Sequence, residues 1–237
     1  MTKREFLLGF AILVSGSIGP WMALARQPAG RQIEAARLPM EAVTAEAFVP
    51  AGWMIEGRIE GDLNKDAAPD LALKLVEVLP PDADRENPPE RLRALLLLLK
   101  TEAGNLRRVA LAGKVLLCTR CGGAFYGVAE SPANVAIENG VIVVRQEYGS
   151  RELTQETLRF RYEPASGRFV FIGMDRSVTD RLTAVTTIES SNFLTGVKLT
   201  TTERYDDNRN RKPTVSGRRE RLFVKKRFIE EVEAASN

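Results

Sequence analysis

The pair Asn139-Gly140 stands between two apolar runs, Val135-Ala136-Ile137 and Val141-Ile142-Val143-Val144. Both turn residues tolerate the positive φ that a type I′ turn demands, so the segment predicts a tight antiparallel hairpin. From Trp53 onward the chain keeps this texture, with short runs of Val, Ile, Thr and aromatic residues broken by turn residues at roughly ten-residue spacing. Ile55 to Ile59 leads into a polar loop, and Leu71 to Val78 follows. Pro80 to Pro89 is a Pro- and Asp-rich loop that no strand or helix can occupy. Arg93 to Lys100 contains five consecutive leucines, Leu95 to Leu99, before the turn Ala103-Gly104-Asn105 and a second apolar run from Val109 to Leu117. That pattern predicts a long hairpin whose first strand is buried on both faces. Leu158 to Tyr162 alternates, turns at Ala165-Ser166-Gly167 and returns as Arg168 to Ile172. Leu194-Thr195-Gly196 joins Thr186 to Ser190 with Val197 to Thr202. Strand–helix alternation is absent, which argues against a doubly wound fold. The expected fold is mainly β, an antiparallel meander of hairpins with one buried face.

Composition narrows the chemistry. The 237 residues include no histidine and two cysteines. Without histidine there is no Ser-His-Asp triad, no Cys-His dyad, no His-ligated zinc or haem and no histidine general base. Lys+Arg 34 against Asp+Glu 31 gives +3, a bias too weak to point to nucleic acid.

The N-terminus reads as an export signal. Lys3 and Arg4 precede the apolar run Phe6 to Val14, and Ala23-Leu24-Ala25 is a small-x-small cleavage signature. A membrane anchor would need about 20 predominantly apolar residues. The expected organisation is a signal peptide over 1–25, a linker or marginal helix over 26–46, and a single β domain over 47–237 with a basic C-terminal stretch. No Cys lies near the cleavage point, so no lipid is expected there, and no second long apolar run follows, so no transmembrane span is expected after cleavage. The expected destination is periplasmic or extracellular, which is oxidising and often rich in calcium.

Within the polar loop, Asp62, Asn64, Asp66 and Asp70 place oxygen side chains at positions 1, 3, 5 and 9, and Ala68 at position 7 can offer its carbonyl. Calcium takes 6–8 oxygen ligands, and a short loop with alternate acids can curl them round one centre. The competing reading is a solvated turn, since Asp and Asn favour turns for local reasons. Position 6, where the chain turns sharply, holds Ala67 instead of Gly, at a cost on the order of 1 kcal/mol in a positive-φ conformation. Leu73 stands where a helix–loop–helix calcium site supplies a bidentate Glu, so the loop is not a regular EF-hand.

The run from Gly61 to Leu73 resembles the calcium loop of FG-GAP repeats, the blades of integrin-α-like propellers, and is similar to dockerin loops at the ligand positions only. The order of segments also resembles a group of exported bacterial proteins of undefined function, which carry one such loop, then hairpins and a late Leu-Thr-Gly turn. The matching pieces here are Phe48-Val49-Pro50-x-x-Trp53, Gly61 to Leu73, Leu95 to Lys100, Arg159 to Tyr162, Phe171-Ile172-Gly173 and Asn192-x-Leu194-Thr195-Gly196. The resemblance implies a blade-like sheet, ion ligands at Asp62, Asn64, Asp66 and Asp70, and no catalytic activity. A complete propeller needs a repeated loop. No second Asp-x-Asn-x-Asp occurs, and Asp206 to Asn210 has the wrong spacing.

Cys118-Thr119-Arg120-Cys121 admits three readings: a local structural disulfide, a thiol redox centre, or half of a zinc site shared between chains. Gly122-Gly123 argues against the helix that a redox centre wants after its first cysteine. Glu147, Glu152 and Glu156 are candidates for a glycosidase-type acid pair or for a solvated strand edge. Trp53 and Tyr126 read as core or as a sugar-stacking platform. The basic stretch 203–227 offers electrostatic contact with anionic surfaces, or serves as a charged edge strand that blocks aggregation. The expected protein is an exported, non-enzymatic β protein with one structural calcium loop, a binding or envelope-associated module with a protein or polysaccharide ligand. The alternative is a periplasmic thiol–disulfide redox protein using Cys118 and Cys121.

Overall fold

A computed structural model describes residues 32–205 and 212–234. The expected signal peptide and the acidic run 206–210 lie outside the described residues. The described fold is mainly β, antiparallel throughout, and is not a closed barrel. Strands β1 (Glu41–Ala42), β2 (Trp53–Gly61), β3 (Asp70–Glu77), β4 (Arg93–Lys100) and β5 (Leu106–Ala112) form one sheet in the order β1-β5-β4-β3-β2. Strands β6 (Ala133–Glu138), β7 (Val141–Gly149), β8 (Glu152–Glu163), β9 (Arg168–Asp180), β10 (Val185–Asn192), β11 (Val197–Arg204) and β12 (Thr214–Arg221) form a second sheet, each strand beside its neighbour in sequence.

The hairpins form where the turn residues place them. Asn139 and Gly140 adopt φ of 53° and 78°, as a type I′ turn requires. Asn192 Oδ1 accepts the N–H groups of both Leu194 and Thr195, which closes the β10–β11 turn. The five leucines of β4 are buried on both faces, and strand alternation divides them. Leu95, Leu97 and Leu99 enter the core between the two sheets with Ile142, Val144, Leu158 and Phe160. Leu96 and Leu98 point the other way, into a second cluster with Leu71, Leu73 and Leu75.

That second cluster needs a cover, and the N-terminal segment supplies it. Two 3-10 turns, Ala35–Arg37 and Ala45–Phe48, flank β1, and Leu38, Ala45 and Phe48 seal Leu96 and Leu98 from water. The leucine strand β4 is buried on both faces as expected, and the expectation of one buried face is corrected for β3, which is also largely buried on both sides. Nor does the second apolar run of the leucine hairpin stay in its ladder through Leu117, because β5 ends at Ala112. Val115, Leu116 and Leu117 remain buried, but Gln146 takes over their backbone bonding. Its Oε1 accepts the Leu117 N–H at 2.6 Å, and its Nε2 donates to the Val115 carbonyl at 3.1 Å. The ladder breaks there, and the chain divides into two sheets.

Arg93, with a side chain 3% exposed, fastens this junction. Its guanidinium donates to both Glu56 oxygens and to the carbonyls of Leu117 and Ser131. Lys74 lies 3.5 Å from the same Glu56 and donates to the Ala133 carbonyl at 3.0 Å, bringing the β2–β3 pair to the start of β6.

Candidate functional site

The β2–β3 loop is held from within by its own acids. Asp62 Oδ1 accepts the Lys65 N–H at 2.6 Å, and its Oδ2 accepts the Ala67 N–H at 3.0 Å. Asn64 Oδ1 accepts the Asp66 N–H at 3.0 Å, while the Asn64 amide donates to Asp66 Oδ2 at 2.7 Å. Asp66 Oδ1 accepts the Ala68 N–H at 2.8 Å. Lys65 and Ala67 both sit in the left-handed region, at φ of 68° and 66°. Ala67 thus adopts at position 6 the conformation that glycine adopts without strain, at a cost of about 1 kcal/mol.

Asp70 plays a different part. It opens β3 fully buried, and its Oδ2 accepts the Leu63 N–H while its Oδ1 accepts the Lys100 N–H, both at 2.8 Å. It therefore ties the loop to the end of β4. The structure gathers Asp62, Asn64, Asp66 and Ala68 into one hydrogen-bonded loop and sets Asp70 behind it as a brace. The Ala68 N–H, and next the Asn64 amide, hold the Asp66 carboxyl below the ordinary carboxylate value. Burial pushes Asp70 up, against the pull of the Lys100 and Leu63 N–H groups.

The Asn139-Gly140 turn of the second sheet abuts this loop. A Cβ at Gly140 would stand 3.3 Å from the Asp62 carbonyl oxygen. Gly61 meets the same hairpin, where a Cβ would fall 2.7 Å from Ile137 Cγ2, so β2 can lie against β6 only with glycine there.

Calcium needs hard oxygen donors, and this set fits one. Asp62, Asn64 and Asp66 have further lone pairs beyond those used by backbone N–H groups, and Ala68 can add its carbonyl. Asp70 would contribute only through the lone pairs its two N–H partners leave.

The two cysteine sulfurs lie 2.06 Å apart, at disulfide distance. Cys118 is 5% exposed and is followed directly by turns, not by a helix. The Glu90 carboxylate lies within 4.8 Å of both sulfurs, a grouping that sequence spacing did not suggest. The connection between β5 and β6 that carries these cysteines docks on β7. There the Tyr126 hydroxyl donates to Glu147 Oε1 at 2.7 Å. Burial first, then that hydrogen bond, pushes the Tyr126 phenol up to about 12.

Other sequence candidates separate. Glu147 pairs with Gln155 and Gln146 pairs with Glu156, so Glu147 and Glu156 lie on opposite faces of the sheet. Glu152 shares a face with Glu156, but their Cα atoms stand roughly 13 Å apart along the strand. No two of the three acids share both a face and a neighbouring position. Trp53 packs against the second apolar cluster, remote in sequence and packing from Tyr126. Arg218, Arg219 and Arg221 lie on β12, the edge strand of the second sheet. No helix among the described residues is long and apolar enough to cross a membrane.

Sequence reasoning missed the buried Arg93–Glu56 pair and an open cavity of about 500 Å³ beside the loop, lined by Lys65, Arg161 and Phe193 among others. The first had one available signal, an arginine heading an unbroken apolar run. The second had none, because its walls come from distant parts of the chain. Family models, curated proteins and solved structures give no match to this chain, so the reading of the site rests on its own chemistry.

Proposed function

We propose that this is an exported, non-enzymatic β protein whose β2–β3 loop holds one structural calcium ion, serving as a binding or envelope-associated module. The observation that carries the reading is Ala67 at φ 66°, with the oxygens of Asp62, Asn64 and Asp66 closed round it. A non-glycine residue held in that conformation at position 6 reproduces the sharp turn on which alternate-acid calcium loops depend. Asp62, Asn64, Asp66 and the Ala68 carbonyl would hold the ion, with Asp70 bracing them. When bound, the ion supplies positive charge that offsets the repulsion among the acids and stiffens the loop. The likeness to FG-GAP repeats rests on the loop alone. The two sheets carry five and seven strands, against four in a propeller blade.

The redox reading has less support. A reactive thiol needs access and a lowered pKa, whereas Cys118 is buried and followed by turns.

Calorimetric titration tests the proposal. Calcium should bind at one site per chain, and Asp66→Ala should abolish that binding. Asp66 is exposed and its bonds are local, so the variant should keep the wild-type circular dichroism spectrum. Absence of saturable calcium binding, or binding retained by Asp66→Ala, would remove the ion from the account.

A further inference from the structure

The cavity of about 500 Å³ opens between the β2–β3 loop, the β8–β9 turn and the segment after β12. Its size falls within the roughly 300–1,000 Å³ of small-ligand sites. Its floor is apolar, formed by Leu63, Val170 and Phe171 at 2%, 9% and 4% exposed, while Asn64, Tyr162, Glu163 and Lys226 also line it. The ring of Phe193 stands 4.7 Å from that of Phe171 and extends the same surface. At its mouth Leu194, 54% exposed, offers further apolar area.

The rim has a definite sign. Lys226 donates to both oxygens of Glu163, at 2.7 and 3.0 Å, so that pair is neutralised. Lys65 and Arg161 are exposed on the same rim, and Arg161 adds its field to that of Lys226 on Glu163. Three cations, Lys65, Arg161 and Lys226, thus face one carboxylate, Glu163, and the lining carries a net positive charge beside its apolar floor. A neutral apolar ligand would leave them unused, and an amphipathic cation would be repelled. A small polar anion would leave the accessible apolar surface of Phe193 and Leu194 in water.

We infer that this cavity binds a monomeric, single-chain amphipathic anion, its head between Lys65 and Arg161 and its aliphatic body against Leu63, Phe171 and Phe193. The inference stands on the cavity's own lining and does not require the calcium ion.

Calorimetric titration with decanoate below its micelle concentration, with chelator present, tests it. One saturable site is expected, with no saturable binding of decyltrimethylammonium or acetate. Lys65→Gln and Arg161→Gln should each weaken decanoate binding roughly tenfold, the scale of one lost charge-assisted hydrogen bond. Both residues are exposed, so both variants should keep the wild-type melting temperature. Absence of saturable decanoate binding would overturn the inference. Equal affinity for the decyl cation, or unchanged affinity in the Lys65→Gln/Arg161→Gln double variant, would overturn it too. So would capture by phosphatidylglycerol vesicles without binding of monomeric decanoate, because the recognised chemistry would then be a membrane surface.

Discussion

Arg93→Ala should lower the unfolding free energy by about 3–5 kcal/mol, the range for removing one partner of a buried ion pair. The side chain is 3% exposed and makes charge-assisted bonds to Glu56 on β2 and to the Leu117 and Ser131 carbonyls. Truncation leaves Glu56 half-hidden without its bidentate partner and strips donors from two buried carbonyls. It also opens a void where β4 meets the connection between the sheets. Arg93→Met would refill the void but restore no donor, so most of the loss should remain. Arg93→Lys keeps the charge yet cannot reproduce the planar fork, and should fall between wild type and alanine. Urea unfolding followed by circular dichroism reads the effect as a lower midpoint at unchanged slope. A loss under about 1 kcal/mol would mean that the junction is wetter than its geometry indicates.

Leu97→Ala should cost about 3–5 kcal/mol, as large-to-small substitutions do where the surroundings cannot collapse. Leu97 is wholly buried in the core between the sheets, against side chains contributed by both. Its neighbour Leu96 is equally buried but faces the N-terminal cover. Leu96→Ala should therefore cost a comparable amount, a result that a one-faced strand could not give. The same urea experiment decides it. A large loss for Leu97→Ala with a loss below about 1 kcal/mol for Leu96→Ala would show that Phe48 and Leu38 do not seal the outer face.

These two residues also show where the sequence stops being legible. The hairpins could be read because Asn139-Gly140 and Leu194-Thr195-Gly196 are local signals whose φ requirements act within a few residues. The burial of Leu95 to Leu99 on both faces was readable as well. Which leucine faces which core was not, because an unbroken apolar run erases the period-two pattern that would assign faces. The cover over Leu96 and Leu98 escaped notice because Leu38, Ala45 and Phe48 are sparse among charged residues and gain meaning only by contact. The split into two sheets depends on Gln146 capturing backbone groups of residues 115 and 117, a distant contact that nothing near Leu117 announces. In the loop, alternate oxygens and the strain at Ala67 were legible as spacing. The buried position of Asp70 was not, because the Lys100 N–H that fixes it comes from another strand.

The central claim, that the β2–β3 loop is built to hold a calcium ion, is tested most directly by thermal unfolding with excess calcium and with chelator. A ligand at a hundredfold its Kd adds about 2.7 kcal/mol to the native state, which for a chain of this size raises Tm by roughly 5–10 °C. The wild type should show that rise on addition of calcium and lose it with chelator, while Asp66→Ala should melt at one temperature in both. An unshifted wild type, or an equal shift in Asp66→Ala, would contradict the claim and leave the loop a turn fastened by its own acids.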